Sequence, residues 1–281
     1  MSFNARNAPA LPDFEYGTVL PAQFRELIMS CGAVMLRKAA DPKLLDTIKS
    51  KIDDLFAQYS SLPRTEIDKR IASDDPLERN FWEQIKLSHI YDWTFKPFAN
   101  LSYFDIARQS GLWEMIERAF PESPVTESRV CNSRRMTEGS RPEFFDKPIE
   151  FHVDAQVFYT HQLSVNLWTP LVDCGIKAPG VKVILLGVRD ALRYLEYNED
   201  GYKPQPGDIA NMHKFRCHKM HESALAEGGL LDRAWAPEFR KGDVLAFTNF
   251  TMHATHCTPE MTLPRTSVEV RVDLPNARYW N

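Results

Sequence analysis

Phe151-His152-Val153-Asp154 sets an imidazole and a carboxylate two positions apart. On a strand, residues i and i+2 share a face. The two groups would then project side by side, as two ligands of one metal ion do. By itself the pair is weak evidence, because eight histidines and 38 acidic residues among 281 give about one such spacing by accident. His253 stands after Lys241-Gly-Asp-Val-Leu-Ala-Phe247 and Asn249-Phe-Thr-Met252, which read as a turn, an apolar strand and a second turn. A histidine placed there could be a third ligand, with His256 as its rival. Two imidazoles and one carboxylate on one face, with open positions opposite, form the facial triad of non-haem Fe(II). Arg265 opens the last apolar segment, Thr266-Ser-Val-Glu-Val-Arg-Val-Asp273. An arginine inside an apolar β core needs an anionic partner, and its planar fork suits a carboxylate gripped at two points. Arg271 is the alternative, deeper in the same strand and on the same face by parity.

A second set of potential ligands lies elsewhere. His213, Cys217 and His221 fall at i, i+4 and i+8, with His218 beside them. One helical face could carry three of these groups to zinc, although the spacing matches no standard zinc pattern.

These residues need elements to hold them. Gly32-Ala-Val-Met-Leu-Arg37 reads as a short strand. Asp41-Pro42 follows as a helix cap with proline in the first turn. Leu44, Leu45, Ile48, Ile52, Leu55 and Phe56 then repeat on one face of a helix. Residues 65–120 lean helical, ending in Leu112–Phe120 before Pro121. Beyond about residue 123 the pattern changes to short strands between turns. They are Glu127–Arg135, Ile149–Tyr159, Leu163–Trp168, Val181–Leu186, Asp243–Phe247 and Thr266–Asp273. Residues 189–240 interrupt them with a polar, Pro- and Gly-containing insertion that has room for one or two short helices. Many short strands behind a helical first half predict an antiparallel β core dressed with helices.

Composition narrows the functions. The hydrophobic fraction is 43%, and 34 basic against 38 acidic residues leave a net charge of −4. That is too apolar and too weakly charged for a disordered chain. No basic surplus supports nucleic-acid binding. The longest uncharged apolar run, Val183–Val188, is far short of a membrane span. The N-terminus carries no apolar core of the signal-peptide kind. The five cysteines are odd in number and form no C-x-x-C, so a reducing cytoplasm is the expected compartment.

Taken together, the motifs resemble the phytanoyl-CoA dioxygenase-like family of Fe(II)/2-oxoglutarate-dependent oxygenases. The resemblance runs over most of the chain. Gly32–Arg37 with Asp41-Pro-Lys-Leu-Leu45 looks like the family's opening strand and helix. Phe151-His-Val-Asp-Ala-Gln156 looks like its metal strand. Leu167-Trp-Thr-Pro-Leu-Val-Asp173 and Ala178-Pro-Gly180 resemble its W-x-P-L-x-D segment. Gly242–Phe247, His253-Ala-Thr255 and Arg265 resemble its closing signature. The chain departs from the family at Leu186-Gly-Val-Arg189, where a G-S-H turn is common.

The resemblance implies a fold that is mainly β with α. Its core would be a double-stranded β-helix, the jelly-roll or cupin-like arrangement, with a helical N-terminal region and a helical insertion. A single domain is implied over 1–281, with 1–122 rich in helix, the core at 123–281 and the insertion at about 189–240. It implies His152, Asp154 and His253 as Fe(II) ligands and Arg265 as the holder of the distal carboxylate of 2-oxoglutarate. Thr255 would stand near that carboxylate and Trp168 would line the pocket. O2 is the second cosubstrate, and a small-molecule metabolite is the expected substrate. Hydroxylation is the usual outcome, with desaturation, cyclisation or epimerisation as alternatives. Halogenation is disfavoured, because halogenating relatives replace the carboxylate that Asp154 supplies. By strand parity, Gln156, Asn166 and Arg134 (and its neighbour Arg135) could face the substrate. A non-catalytic jelly-roll binding protein would use the same scaffold without turnover.

Overall fold

A computed structural model describes residues 11–86, 89–136, 149, 151–157, 162–195 and 222–277. The cluster at His213, Cys217, His218 and His221 lies outside the described residues, as does the side chain of Gln156.

The N-terminal part runs β1 (Asp13–Glu15), α1 (Pro21–Cys31), β2 (Ala33–Arg37) and α2 (Pro42–Ser61). Then follow α3 (Arg64–Ile71), α4 (Pro76–Lys86), β3 (His89–Tyr91), α5 (Asp92–Ala99), α6 (Phe104–Gln109) and α7 (Leu112–Ala119). The Asp41 side chain accepts from the backbone N–H of Lys43, and Pro42 stands at the first helical position. The helix therefore starts where its orphan donors find a partner. It buries Leu45, Ile48, Ile52, Leu55 and Phe56 on one face.

The C-terminal part holds β4 (Thr126–Glu127), β5 (Asn132–Met136), α8 (Asp154–Val157), β6 (Leu163–Pro170) and β7 (Gly180–Ile184). Beyond these come α9 (Val188–Leu195), α10 (Glu222–Glu227), β8 (Ala234–Trp235), β9 (Val244–Thr248), β10 (His253–His256) and β11 (Arg265–Leu274). The larger sheet has eight strands in the order β1-β2-β9-β6-β11-β5-β3, with β4 on the flank of β11. The smaller sheet runs β10-β7-β8. Pairing is antiparallel throughout except between β1 and β2. The chain is thus a mixed α/β structure built on a large sheet.

Two findings change the expected layout. First, Ile149–Tyr159 is not a strand over its described residues. His152 forms only an isolated bridge to His253, and Asp154 begins a helical turn. Second, β2 lies between β1 and β9 inside the larger sheet, so the helix-rich region contributes to the wall of the core. The end of the 189–240 insertion also belongs to the core, since β8 pairs with β7 and Phe239 is buried.

Strand alternation divides the larger sheet into two faces. Val34, Leu36, Val165, Leu167, Ala246, Val268, Val270 and Val272 point toward the helices and join the main core with Leu45, Ile48, Ile106 and Ile116. Ala33, Met35, Trp168, Leu245 and Phe247 point the other way, into a smaller cluster with Val181, Val183, Leu185, Trp235 and Phe239. That inner space, between the two sheets, is where the polar residues of β6 and β11 also face.

Candidate metal centre

The backbone brings His152 and His253 together. Each donates its N–H to the other's carbonyl at 3.0 Å, a one-pair antiparallel bridge at the start of β10. Their rings lie 4.2 Å apart, centroid to centroid. Asp154 reaches them from the first turn of α8, which is pinned by the Ala155 N–H donating to the Asn249 carbonyl at 2.8 Å. Asn249 also accepts from Ser164 N at 2.9 Å through its Oδ1 and donates from Nδ2 to the Gln162 carbonyl at 2.9 Å. One residue, through its backbone carbonyl and its side chain, therefore ties α8, the start of β6 and the turn before β10. The sequence pattern did not single it out.

That turn has its own support. Thr251 Oγ1 donates to the Gly32 carbonyl at 2.7 Å and meets Thr248 Oγ1 at 2.9 Å. Gly32 has φ of +80°, and a Cβ there would stand 2.5 Å from the Leu186 carbonyl oxygen. Only glycine fits this backbone and this approach. The Gly242-Asp243 step before β9 is likewise structural. Asp243 accepts from the backbone of Lys38 and Arg240 and from Arg37 at 2.7 Å.

Among the described residues, His152, Asp154 and His253 offer ligand atoms that all lie within 4.8 Å of one another. All three are buried. Asp154 Oδ1 stands 3.8 Å from His152 Nε2 and 3.9 Å from His253 Nε2. His253 Nδ1 donates to the Thr251 carbonyl at 2.9 Å, since a carbonyl can only accept. With Nδ1 carrying a proton, Nε2 is the ring nitrogen that faces Asp154. Fixing the tautomer in this way is what metal-bound histidines require. Spacing, burial and donor types therefore fit a divalent ion.

Burial and nearby cationic groups pull the Asp154 carboxyl in opposite directions. Burial pushes its pKa up, but Arg271 first, then His253, His152 and the Asn166 amide, outweigh that and hold it well below the usual carboxylate range. Its Oδ2 accepts from Asn166 Nδ2 at 2.6 Å and from Arg271 Nη2 at 2.9 Å. Asn166 and Arg271 are register partners on β6 and β11.

Arg265 and Arg271 share a face of β11 but differ in their engagement. Arg271 bonds Asp154, Glu269 at 2.7 Å and the Val130 carbonyl at 2.7 Å. Arg265 donates to the Gly180 carbonyl at 3.1 Å and lies 5.5 Å over the ring of Trp168. Among the described residues it has no carboxylate partner, and its buried Nε makes no hydrogen bond. Burial disfavours its charge. A buried guanidinium with an unbonded Nε and no acid partner among the described residues could take an anionic group.

The remaining candidates fall as follows. Thr255 follows His253 by two on β10 and is buried; its Oγ1 accepts from Ile149 N at 3.0 Å. Trp168 packs between Arg265 and Phe239. Asn166, expected at the substrate, has its amide committed to Asp154. Arg134 lies opposite Ser267 in the register, on the inner face. Arg135 points the other way, over the ring of Phe56 at 5.2 Å. Ser267, buried and on Arg265's face, is a further neighbour that the sequence pattern left out. His256 is half-buried on the opposite side of β10 from Thr255, away from the cluster that His253 joins. The described cysteines Cys31, Cys131, Cys174 and Cys257 are free thiols. No helix among the described residues is long and apolar enough to cross a membrane.

No family model matches the chain, and no curated protein matches it. Solved structures do. EvdO2 from Micromonospora carbonacea var. aurantiaca, complexed with 2-oxoglutarate, is 14% identical with a TM-score of 0.53 and covers 92% of each chain. EctD from S. alaskensis, solved with 2-oxoglutarate and 5-hydroxyectoine, is 13% identical with a TM-score of 0.54, covering 97% of this chain and 86% of its own. The epimerase SnoN, in complex with Fe3+, alpha ketoglutarate and nogalamycin RO, is 12% identical with a TM-score of 0.51 over 93% of this chain and 87% of its own. At these identities the likeness carries the fold alone: this chain shares the fold of these three 2-oxoglutarate-bound structures.

Proposed function

We propose that this chain is a non-haem Fe(II)- and 2-oxoglutarate-dependent dioxygenase of the phytanoyl-CoA dioxygenase-like kind, acting on a small-molecule metabolite. We read it as one domain, with a helix-rich 1–122, a double-stranded β-helix over 123–281 and an insertion at about 189–240. One observation carries the reading. Three buried ligands converge, and on the adjoining sheet face stands a buried arginine without an acid partner among the described residues.

Bound Fe(II) with 2-oxoglutarate and O2 would supply oxidation of an unactivated C–H bond, with release of succinate and CO2. The residues of the chain do the positioning. His152, Asp154 and His253 would hold the ion through two imidazoles and one carboxylate. Arg265 pairs with the distal carboxylate of 2-oxoglutarate, trading its unsatisfied burial for a two-point bond. Trp168 covers that guanidinium and keeps water from it. Thr255, whose oxygen already accepts a backbone N–H, retains its own proton to donate. Ser267 adds a second hydroxyl on Arg265's face. Arg134 and Gln156 are the residues we assign to the substrate side. Hydroxylation is the outcome we favour; desaturation, cyclisation and epimerisation call on the same residues.

Purified protein with Fe(II), 2-oxoglutarate and O2 should form succinate. The His152→Ala, Asp154→Ala and His253→Ala variants should not. Absence of succinate from folded, iron-loaded wild type would turn the reading into that of a binding protein on the same scaffold.

A further inference from the structure

A carboxylate can hold a metal ion through one oxygen or both, and the difference is one coordination position. Asp154 is arranged so that the choice is already made. Its Oδ1 faces His152 Nε2 and His253 Nε2 at 3.8 and 3.9 Å. Its Oδ2 faces away, taking Asn166 Nδ2 at 2.6 Å and Arg271 Nη2 at 2.9 Å. Arg271 is itself fixed at three further points. The same Nη2 donates to Glu269 Oε1 at 2.7 Å, Nη1 donates to the Val130 carbonyl at 2.7 Å, and its backbone N–H donates to Cys131 Sγ at 3.0 Å. Exposure rises along the relay, from 4% for the Asp154 side chain and 6% for Arg271 to 18% for Glu269.

We propose that Arg271 is a positioning residue: held by Glu269 and Val130, it occupies Asp154 Oδ2 and confines the metal to Oδ1. The proposal rests on the metal reading above. A hydrogen bond from a charged donor is about twice as strong as a neutral one, and here it acts in a buried setting. Asn166 adds a second donor to the same oxygen. An ion meeting His152, His253 and Oδ1 alone keeps half of an octahedral shell for other ligands. If Oδ2 swung in, one of those positions would be lost. Cosubstrate and O2 together need all of them, so the relay protects the capacity to react rather than the capacity to bind. It also explains why a strand whose face already carries Arg265 has a second buried arginine six residues on. That arginine belongs to the metal ligand, whereas Arg265 answers the anion.

The test counts waters. Mn(II) is added to purified protein without 2-oxoglutarate, and the exchangeable waters on the bound ion are counted by water-proton relaxation. Wild type should keep about three waters and Arg271→Met about two, because Asp154 then binds through both oxygens. Removing Arg271 leaves two acids near one another, so Glu269→Gln/Arg271→Met, which deletes one charge of each sign, is measured beside it and should also lose one water. Arg271→Lys restores a charged donor and should recover much of the wild-type count. In an Asp154→Asn background the Arg271→Met change should shift nothing. An unchanged water count in a folded Arg271→Met or double variant overturns the positioning role. Wild type that takes up no Mn(II) overturns the metal reading on which it stands.

Discussion

The two faces of β11 are made from one stretch of ten residues and behave as two different materials. Val268, Val270 and Val272 point into the helices and are fully buried among aliphatic side chains. Arg265, Ser267, Glu269 and Arg271 point inward from the alternate positions, and most of them are buried too. The first face contributes by area removed from water, about 1.5–3 kcal/mol for each fully buried aliphatic side chain. The second face costs free energy to bury and recovers it only through specific partners. Arg271 has those partners within the chain. Arg265 lacks a carboxylate among the described residues. On the proposed function, the stability comes from one side of the strand and the chemistry from the other.

If this division is right, changes on the two faces should fail differently. The largest effect is expected at the ligands. Asp154→Ala or His253→Ala should lose divalent-ion binding and succinate formation while keeping a cooperative unfolding transition, as isothermal titration and thermal melts would show. Next is Arg265→Ala. Truncating one side of a buried charge pair costs about 2–5 kcal/mol. The apparent KM for 2-oxoglutarate should rise by that amount, roughly 30-fold to several thousand-fold, with the melting temperature little changed. An unchanged KM would send the cosubstrate's carboxylate elsewhere. On the opposite face, Leu167→Ala should lower stability by about 2–5 kcal/mol, as large-to-small core changes do. Ion binding per folded molecule should stay the same. Loss of binding in proportion to stability would dissolve the distinction between the faces.

The smallest expected effect is a pH dependence. Burial first, and Lys182 second, push the His256 pKa below its ordinary 6.5. The unfolded chain then binds more protons than the folded one around and below that value, so stability rises with pH through the window. His256→Gln should flatten the slope of the unfolding free energy between about pH 5 and 7.

Much of this was legible in the residues. The apolar periodicity of α2 and its Asp41-Pro42 start match the structure. So do the spans of β6, β9 and β11, because alternation and turn residues are local signals. The convergence of His152, Asp154 and His253 was expected, but for a reason that does not hold. Strand parity was to set His152 beside Asp154, whereas a single bridge and the first turn of a helix do so. That arrangement depends on Asn249 and on the turn over Gly32, contacts between segments far apart in sequence. The same limit applies to Asn166 and Arg271. Parity gave the face of Arg271, but its partner is set by cross-strand register, which a single sequence does not carry. The inward strands β2 and β8 were missed as parts of the core walls because sheet order, too, is non-local.

The most direct test of the central claim needs no knowledge of the substrate. Apo-protein is titrated with Fe(II) and 2-oxoglutarate without oxygen, and the visible metal-to-ligand charge-transfer band is followed. The band should form in wild type, be lost in His253→Ala, and need a higher 2-oxoglutarate concentration in Arg265→Ala. A well-folded wild type that gives no band would contradict the claim, leaving the fold without the iron chemistry.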